Sequence, residues 1–319
     1  MPAGPPGTAI RSYKEMSPEE AIRRHVLRAI ALNRTPGLHF PGNFIELSFD
    51  RVTSDDTRVS YETGPHGGTD IGSLAVLADF ALGSAIRADL HPATRLATVS
   101  MTLELSAAPR AGIVRAASRC HGFTGEGDSR SGRSRVVIED AGGEVGYGSG
   151  VFMVLPPPPQ VTLHPVPQRK RGDADPPPLA ERDLAPEELR ILRHAEQALE
   201  HAAKSRQPFI RHFWGFLPQG TRNAASCVMP VGPHVGNRVG FVQGGVLLGL
   251  AAVTAAAALP ESWRLSTIAA AFVSPGEGAA LKAQASVVHH GRRVSAVRTE
   301  ITRSDGRRVL EVMSTHAAT

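Results

Sequence analysis

The sequence reads as two copies of one pattern. Each copy opens with a helix predicted from a Pro-Glu-Glu start and helical spacing, "SPEEAIRRHVLRAIAL" (17–32) and "APEELRILRHAEQALEH" (185–201). A strongly apolar helix follows in each copy, predicted over 73–87 and 246–259. Three landmarks recur at similar displacements: Pro18 to Pro186 is 168 residues, Pro109 to Pro275 is 166, and Gly143 to Gly306 is 163. The simplest account is an internal duplication, and its period is far too long for a solenoid, so each copy is predicted to be a domain.

Strand candidates follow the apolar helix in both copies and are separated by turn signals such as "DAGGE", "SPGEG" and "SDG". They are "RLATVSMTLEL", "GIVRAASRCHGF", "RSRVVIED" and "EVGYGSGVFMVL" in the first copy, and "RLSTIAAAFVS", "AALKAQASVVHH", "RVSAVRTEITR" and "RRVLEVMSTHAA" in the second. One helix followed by an antiparallel meander predicts an α+β domain whose sheet wraps around the helix. The helix over 246–259 is apolar on every face, which indicates burial, and its Gly and Ala residues are expected to let strands approach closely.

The predicted division is a first domain over 1–155, a Pro-rich linker over 156–185 and a second domain over 186–319. The linker is rich in proline and charge, and it is expected to be semi-rigid where prolines run together.

Bulk properties restrict the class of protein. No apolar run is long enough to span a membrane, the first residues lack a secretory signal pattern, and the two cysteines fit no metal or redox spacing. We therefore expect a cytoplasmic protein. The net charge is +5 without a basic stripe, and aromatic residues make up only 5%, so nucleic-acid binding is not expected, whereas a polyanionic small ligand fits.

A lone carboxylate interrupts the apolar helix of the first copy, "LAVLADFALGSAI", at Asp79. Burying an unpaired charge is costly, and aspartate is rarely buried without a partner. Asp79 is therefore expected either to reach a wet edge or to serve a function.

The stretch "GNRVGFVQGGVLLGLAAV" of the second copy resembles the signature of hotdog-fold thioesterases of the phenylacetyl-CoA thioesterase type. In that family an Asn precedes a His-Gly-Gly that opens the central helix, and an acid follows about two turns along it. The second copy carries the Asn as Asn237 and the Gly-Gly as Gly244 and Gly245, with Gln243 where His is usual. The acid position falls on Ala252, so this copy lacks the acid.

The same spacing, laid back from Asp79 in the first copy, puts the Gly-Gly on Ile71 and Gly72, the His on Asp70 and the Asn on Gly64. The first copy thus keeps the acid and lacks the carbonyl-binding set. A "HGG" does occur four residues earlier, at 66–68, and is taken as a loop coincidence. The resemblance implies two tandem hotdog domains packed as a pseudo-dimer, with one composite site between them and a dead mirror site.

The resemblance implies an enzyme, an acyl-CoA thioesterase of acyl or lipid metabolism. The backbone N–H of Gly244 would polarise the thioester carbonyl, Asn237 would add a donor or orient the turn, Thr98 would hold a water, and Asp79 would be general base or nucleophile. Neither a metal nor a cofactor is expected, because coenzyme A is part of the substrate. The predicted substrate-binding residues are Gln243, Gly245, Arg292, Arg293 and Arg133.

Other interpretations stay open at this point. Gly244 and Gly245 also suit a plain tight turn, Asn237 a turn residue, and Thr98 an ordinary strand residue. The histidines, including His289 and His290, are expected on the surface or in loops. Two other functions fit a chain of this kind, a non-catalytic acyl-CoA-binding or regulatory protein and a hydratase or dehydratase. The expected partner is the acyl-CoA substrate, and the double-domain chain is a possible homodimer.

Overall fold

The computed structural model describes residues 16–64, 66–92 and 94–318. The first half contains three helices and six strands. Its elements are α1 (Pro18–Asn33), α2 (Phe40–Phe44), β1 (Ser48–Arg51), β2 (Thr57–Glu62), α3 (Ile71–Arg87), β3 (Arg95–Leu105), β4 (Ile113–Thr124), β5 (Ser131–Asp140) and β6 (Gly143–Leu155).

The second half repeats this order element by element. Its elements are α4 (Pro186–Ser205), α5 (Phe209–Trp214), β7 (Gln219–Thr221), β8 (Ala224–Pro230), α6 (Gly244–Ala257), β9 (Trp263–Phe272), β10 (Ala280–His290), β11 (Val294–Arg303) and β12 (Arg308–Ala318). Each predicted strand lies within two residues of an observed one, because alternating apolar residues and turn signals define strands locally.

All twelve strands form one antiparallel sheet in the order β1-β2-β4-β5-β6-β3-β9-β12-β11-β10-β8-β7. When each strand of the second half is replaced by its counterpart in the first half, the order reads the same from both ends. The reason is that β3 and β9 pair at the centre, with Met101 opposite Ala270. The expectation of a simple meander is wrong for the first strand after each helix: β3 pairs with β6 rather than β4, and β9 pairs with β12 rather than β10. This crossover brings the two halves together.

The central helices α3 and α6 pack directly on each other. A Cβ added to Gly245 would lie 2.5 Å from the Ala75 carbonyl oxygen and from the Val76 Cα, and one added to Gly249 would lie 2.7 Å from the Gly72 Cα. The glycines of α6 therefore permit a close helix–helix contact, which corrects the expectation that they serve approaching strands. None of the described helices is long and apolar enough to cross a membrane.

A pair of histidine rings in contact occurs once in each half. His25 stacks on His66 with ring centroids 4.3 Å apart, and His194 lies against His234 at 4.0 Å with the rings tilted by 32°. His25 and His194 each hydrogen-bond a backbone carbonyl through Nε2, and burial holds the pKa of His66 and of His234 well below the ordinary value. The "HGG" lies in a loop, as expected, and only its histidine has a counterpart in the second half, His234. The expectation of surface or loop histidines is wrong for His25, which is buried in α1, whereas His289 and His290 are exposed.

The segment between β6 and α4 lies along the first half. The Phe49 N–H donates to the Arg169 carbonyl at 2.7 Å, and the Arg171 N–H donates to Ser48 Oγ at 2.9 Å. Leu163 in the same segment is only 8% exposed. The proline-rich segment, 156–185, is therefore a strap fixed to the protein surface rather than a free tether.

Candidate functional site

A cavity of about 450 Å³ opens between the two halves. The first half contributes the middle of α3 and the start of β3, and the second half contributes the start of α6 and the loop before it. Five residues singled out from the sequence line this one cavity: Asp79, Thr98, Asn237, Gln243 and Gly244. The fold thus brings together residues that are up to 165 positions apart in the chain.

Asp79 is held from both halves. Thr98 Oγ1 donates to its Oδ1 at 3.0 Å, and Gln243 Nε2 donates to its Oδ2 at 2.5 Å. Asp79 keeps a partly exposed surface toward the cavity, whereas its neighbours Ala78 and Phe80 are buried. Burial raises its pKa to about 6, while hydrogen bonds from Thr98 and from the Gly245 N–H hold that value down. The carboxylate is therefore ionised at neutral pH and able to accept a proton.

Gln243 serves two elements at once. Its Oε1 accepts the Val246 N–H at 2.9 Å, which caps the N-terminus of α6, and this fixes the amide so that Nε2 faces Asp79. The side chain is buried, at 2% exposure. Sequence reasoning expected Gln243 to bind substrate in place of a histidine, and the structure shows that it orients the carboxylate.

Gly244 lies against the carboxylate with little room for a side chain. A Cβ at this position would lie 3.0 Å from Thr98 Oγ1 and 3.2 Å from both oxygens of Asp79. The first three N–H groups of a helix have no partner within the helix. In α6 the third of these N–H groups, that of Val246, donates to Gln243, and the second, that of Gly245, donates to Asp79. No described residue accepts the first, the Gly244 N–H.

Asn237 shapes the loop that precedes α6. Its Oδ1 accepts the N–H groups of Val239 at 2.9 Å and of Phe241 at 3.1 Å. This is an Asx-type turn, so of the two roles expected from the sequence the structure shows loop orientation.

The arginines predicted to bind substrate, Arg133, Arg292 and Arg293, are exposed and do not line the cavity. A position next to a strand turn does not by itself bring a side chain to the cavity, because the turns beside these three arginines lie on other parts of the sheet. Three other arginines line the cavity instead: Arg87, Arg95 and Arg238. A signal for two of them was present, because Arg87 follows Asp79 by about two helical turns and Arg238 follows Asn237 directly.

The mirror position is buried, since Ala252 is only 2% exposed. Ala252 stands where Asp79 stands in the first half, and the ring of Phe216 lies against Gly72 and Gly249, with Cε2 2.6 Å and 3.0 Å from a Cβ placed on each. Asp70 caps α3 through Ser73, as Gln243 caps α6, which agrees with the expected correspondence of these two residues.

The correspondence of Gly64 with Asn237 is wrong. His66 and His234 are equivalent members of the two histidine pairs, and Gly64 and Gly232 each lie two residues before them. The connection from this histidine to the helix cap spans 67–69 in the first half and 235–242 in the second. The first half has no counterpart of the loop that carries Asn237.

No group of three or more His, Cys, Asp or Glu side chains that could hold a metal ion occurs in the described part of the chain. Asp79 has no second acid beside it, and its contacts are an alcohol, an amide and a backbone N–H. The absence of a metal or cofactor requirement stays a prediction.

Comparison with known proteins agrees with this architecture. Residues 234–317 match the family described as Acyl-CoA thioesterase N-terminal domain. The tesB protein of Mycobacterium avium subspecies paratuberculosis is 13% identical with a TM-score of 0.51, and the match covers 85% of this chain and 95% of that one. The chain has a tandem hotdog fold.

Two further solved structures support the fold. A conserved protein of unknown function with a hot dog fold from Alicyclobacillus acidocaldarius is 14% identical over 88% of this chain and 98% of its own, with a TM-score of 0.50. A provisionally assigned oleoyl thioesterase from Lactobacillus plantarum is 12% identical over 83% and 97%, also with a TM-score of 0.50. No curated protein sequence matches the chain significantly.

These matches confirm the predicted hotdog thioesterase resemblance and the predicted double-hotdog α+β fold. The finer assignment to the phenylacetyl-CoA type stays a prediction, as do the domain limits, the cytoplasmic location and the possible homodimer.

Proposed function

We propose that the protein hydrolyses acyl-CoA thioesters to the free acid and coenzyme A at one composite site per chain. The observation that carries the proposal is the carboxylate of Asp79, which accepts hydrogen bonds from Thr98 of its own half and Gln243 of the other, beside the start of α6. A protein that only bound acyl-CoA would gain nothing from a costly buried acid at this place.

The reaction starts with a thioester carbonyl oxygen at the N-terminus of α6. The Gly244 N–H and the positive end of the helix stabilise the charge that develops on that oxygen. Asp79 removes a proton from a water while the water oxygen attacks the carbonyl carbon. When the tetrahedral intermediate collapses, the carbon–sulfur bond breaks, and the proton on Asp79 passes to the thiolate, which restores the carboxylate and releases the acid and the thiol.

Asp79 acts as the general base in this scheme, and the alternative is a nucleophile that forms an anhydride with the acyl group. Both carboxylate oxygens accept a donor, which lowers the basicity and the nucleophilicity of the carboxylate alike, so a labelling experiment distinguishes the two roles. In a single turnover in ¹⁸O-water a general base puts the label in the released acid only. An anhydride that water opens at the Asp79 carbonyl puts ¹⁸O into the Asp79 side chain.

The experiment that tests the proposed function is a panel of acyl-CoA thioesters assayed for thiol release, with the intact chain and with Asp79→Asn. We expect turnover by the intact chain that is lost in the variant. Coenzyme A esters that bind without any thiol release would contradict the proposal and favour a binding protein.

A further inference from the structure

The charge of the cavity is not explained by ester hydrolysis alone. Its lining contains one carboxylate, Asp79, and three arginines, Arg87, Arg95 and Arg238. None of the three arginines forms an ion pair with an acid in the part of the chain that the structure describes. Asp89 lines an adjoining cavity together with Arg87 but makes no ion pair with it. The described lining of the cavity therefore carries more cationic than anionic side chains.

Two of the arginines are close enough to disfavour each other. Burial first, and then the charge of Arg238, lowers the pKa of Arg87 to about 9. Burial and both arginines lower the pKa of His39, beside them, to about 3, so this ring is neutral, and its buried Nδ1 has no partner. Two like charges in a buried place are unfavourable unless an anion joins them.

The known contacts of the pair leave most of their donors unused. Arg87 Nη1 donates to the Thr94 carbonyl at 2.8 Å, and Arg238 Nη1 donates to the His164 carbonyl of the strap at 2.8 Å. Each guanidinium has five N–H donors in a planar fork that suits a carboxylate. The one carbonyl contact of each arginine positions its head group and leaves its other N–H donors available for a carboxylate.

The position of the pair relative to Asp79 indicates which part of a substrate would meet it. Arg87 lies eight residues after Asp79 on α3, about 12 Å along the helix axis, and long helical side chains lean back toward the N-terminus. The head group is therefore within reach of an acyl chain whose thioester carbonyl sits at Gly244. The phosphates of coenzyme A are separated from the sulfur by the whole pantetheine arm with its two amides, which makes them the poorer match.

We propose that Arg87 and Arg238 bind a free carboxylate at the far end of the acyl group, so that the preferred substrates are monothioesters of dicarboxylic acids. This inference rests on the proposed hydrolase function. One arginine comes from each half, so the selectivity site is composite like the catalytic one. Substrates with neutral acyl chains leave the two charges unpaired.

The test compares suberyl-CoA with octanoyl-CoA, which have the same chain length and differ in the terminal carboxylate. We expect kcat/KM to be about 10- to 100-fold higher for suberyl-CoA, the range for charged hydrogen bonds. Arg238→Met should bring that ratio close to one, and Arg238→Lys should give an intermediate ratio because the charge stays and the fork is lost. Arg222→Met, an exposed arginine on the β7–β8 turn, should leave the ratio as in the wild type.

The N-acetylcysteamine thioesters of the same two acids separate the two possible anions, since they carry no phosphate. A preference for the suberyl compound that persists here, and falls in Arg238→Met, supports the acyl carboxylate. An equal loss on both CoA esters with no loss on the N-acetylcysteamine esters would overturn the inference and assign the pair to the coenzyme A phosphates.

Calorimetric titration with free suberate and octanoate separates this inference from the proposed function. Suberate binding that Arg238→Met abolishes supports the arginine site even if no thioester is turned over, and that result would contradict only the hydrolase function. Hydrolysis with equal rates for suberyl- and octanoyl-CoA overturns only the present inference. Circular dichroism of each variant shows that the fold is retained.

Discussion

The two pseudo-equivalent positions beside the central helices have different contents. On the α3 side, Asp79 faces a cavity, whereas on the α6 side Ala252 takes the same position and Phe216 packs against the helices. Both positions are compatible with the packing of α3 against α6, because close packing of the two helices requires only apolar or small residues where they touch. The comparison shows that two halves of the same fold differ at this place, because the acid of the first half faces open space whereas Ala252 of the second half is buried.

The loops that precede α3 and α6 also differ in what they contribute to the cavity. The longer connection in the second half carries Asn237 and Arg238 into the cavity, and the short connection in the first half carries no such residues. Chemistry and selectivity are therefore expected at one side only, and each prediction below tests this asymmetry.

The largest effect is expected for Asp79→Asn, which keeps the volume and removes the base. Turnover of an acyl-CoA ester should fall by up to about 10,000-fold, the upper range for losing a general base. Adding Ala252→Asp to this variant should not restore turnover, because Ala252 is buried at 2% exposure and is not among the residues that line the cavity. Thiol release measures both variants, and a rescue by the second acid would show that the mirror position is a usable site.

Phe216→Ala tests the mirror position. Removing this buried ring should lower the free energy of unfolding by about 3–5 kcal/mol, as for other large-to-small core changes. Turnover per folded molecule should stay as in the wild type, because the ring is not among the residues that line the cavity. Urea denaturation and steady-state kinetics give the two values. A fall in turnover without loss of stability would place Phe216 in the working site.

Gly244→Ala and Gly245→Ala form a matched pair on adjacent residues. The first puts a methyl group against Thr98 and Asp79 and should reduce kcat/KM by about 100- to 1,000-fold with little change in stability. The second places the methyl group against the backbone of α3 and should mainly lower the melting temperature. If both variants lose stability and activity together, Gly244 is only a packing residue.

The smallest effect is the pH dependence of the wild type. A base must be ionised, so with the pKa of Asp79 raised to about 6 by burial, kcat/KM should fall about tenfold per pH unit below that value. Thr98→Val removes a hydrogen bond that lowers this pKa, so its acidic limb should move to higher pH. Phe216→Ala should keep the wild-type limb. An acidic limb near pH 4 in the wild type would show that Asp79 is not the base.

The same folded pKa has a consequence for stability. Because burial raises the pKa of Asp79 above the unfolded value of 3.8, the folded state favours the protonated carboxyl. This contribution is fully present below pH 3.8 and is lost as the pH rises through about 6. A buried acid that reduces stability at neutral pH is consistent with retention for function.

Local patterns in the sequence were sufficient for the elements and for part of the site. Turn residues and alternation define β9 to β12 almost to the residue, and the lone acid and the Gly-Gly at a helix start were visible as departures from an otherwise apolar pattern. Arg133, Arg292 and Arg293 do not line the cavity, because a position next to a turn does not say which part of the sheet faces it, and their role in substrate binding stays a prediction.

The sequence by itself determined the duplication, the helices and strands, and the single retained acid, because helical period, strand alternation and caps act over short windows. Only the tertiary structure decided that β3 and β9 meet at the centre of one sheet, that Gln243 donates to a carboxylate 164 residues away, that Phe216 packs against Gly72 and Gly249 and that Arg87 and Arg238 line one cavity. These contacts depend on the crossover of each sheet and on the packing of α3 against α6. Such packing joins residues that no local pattern connects.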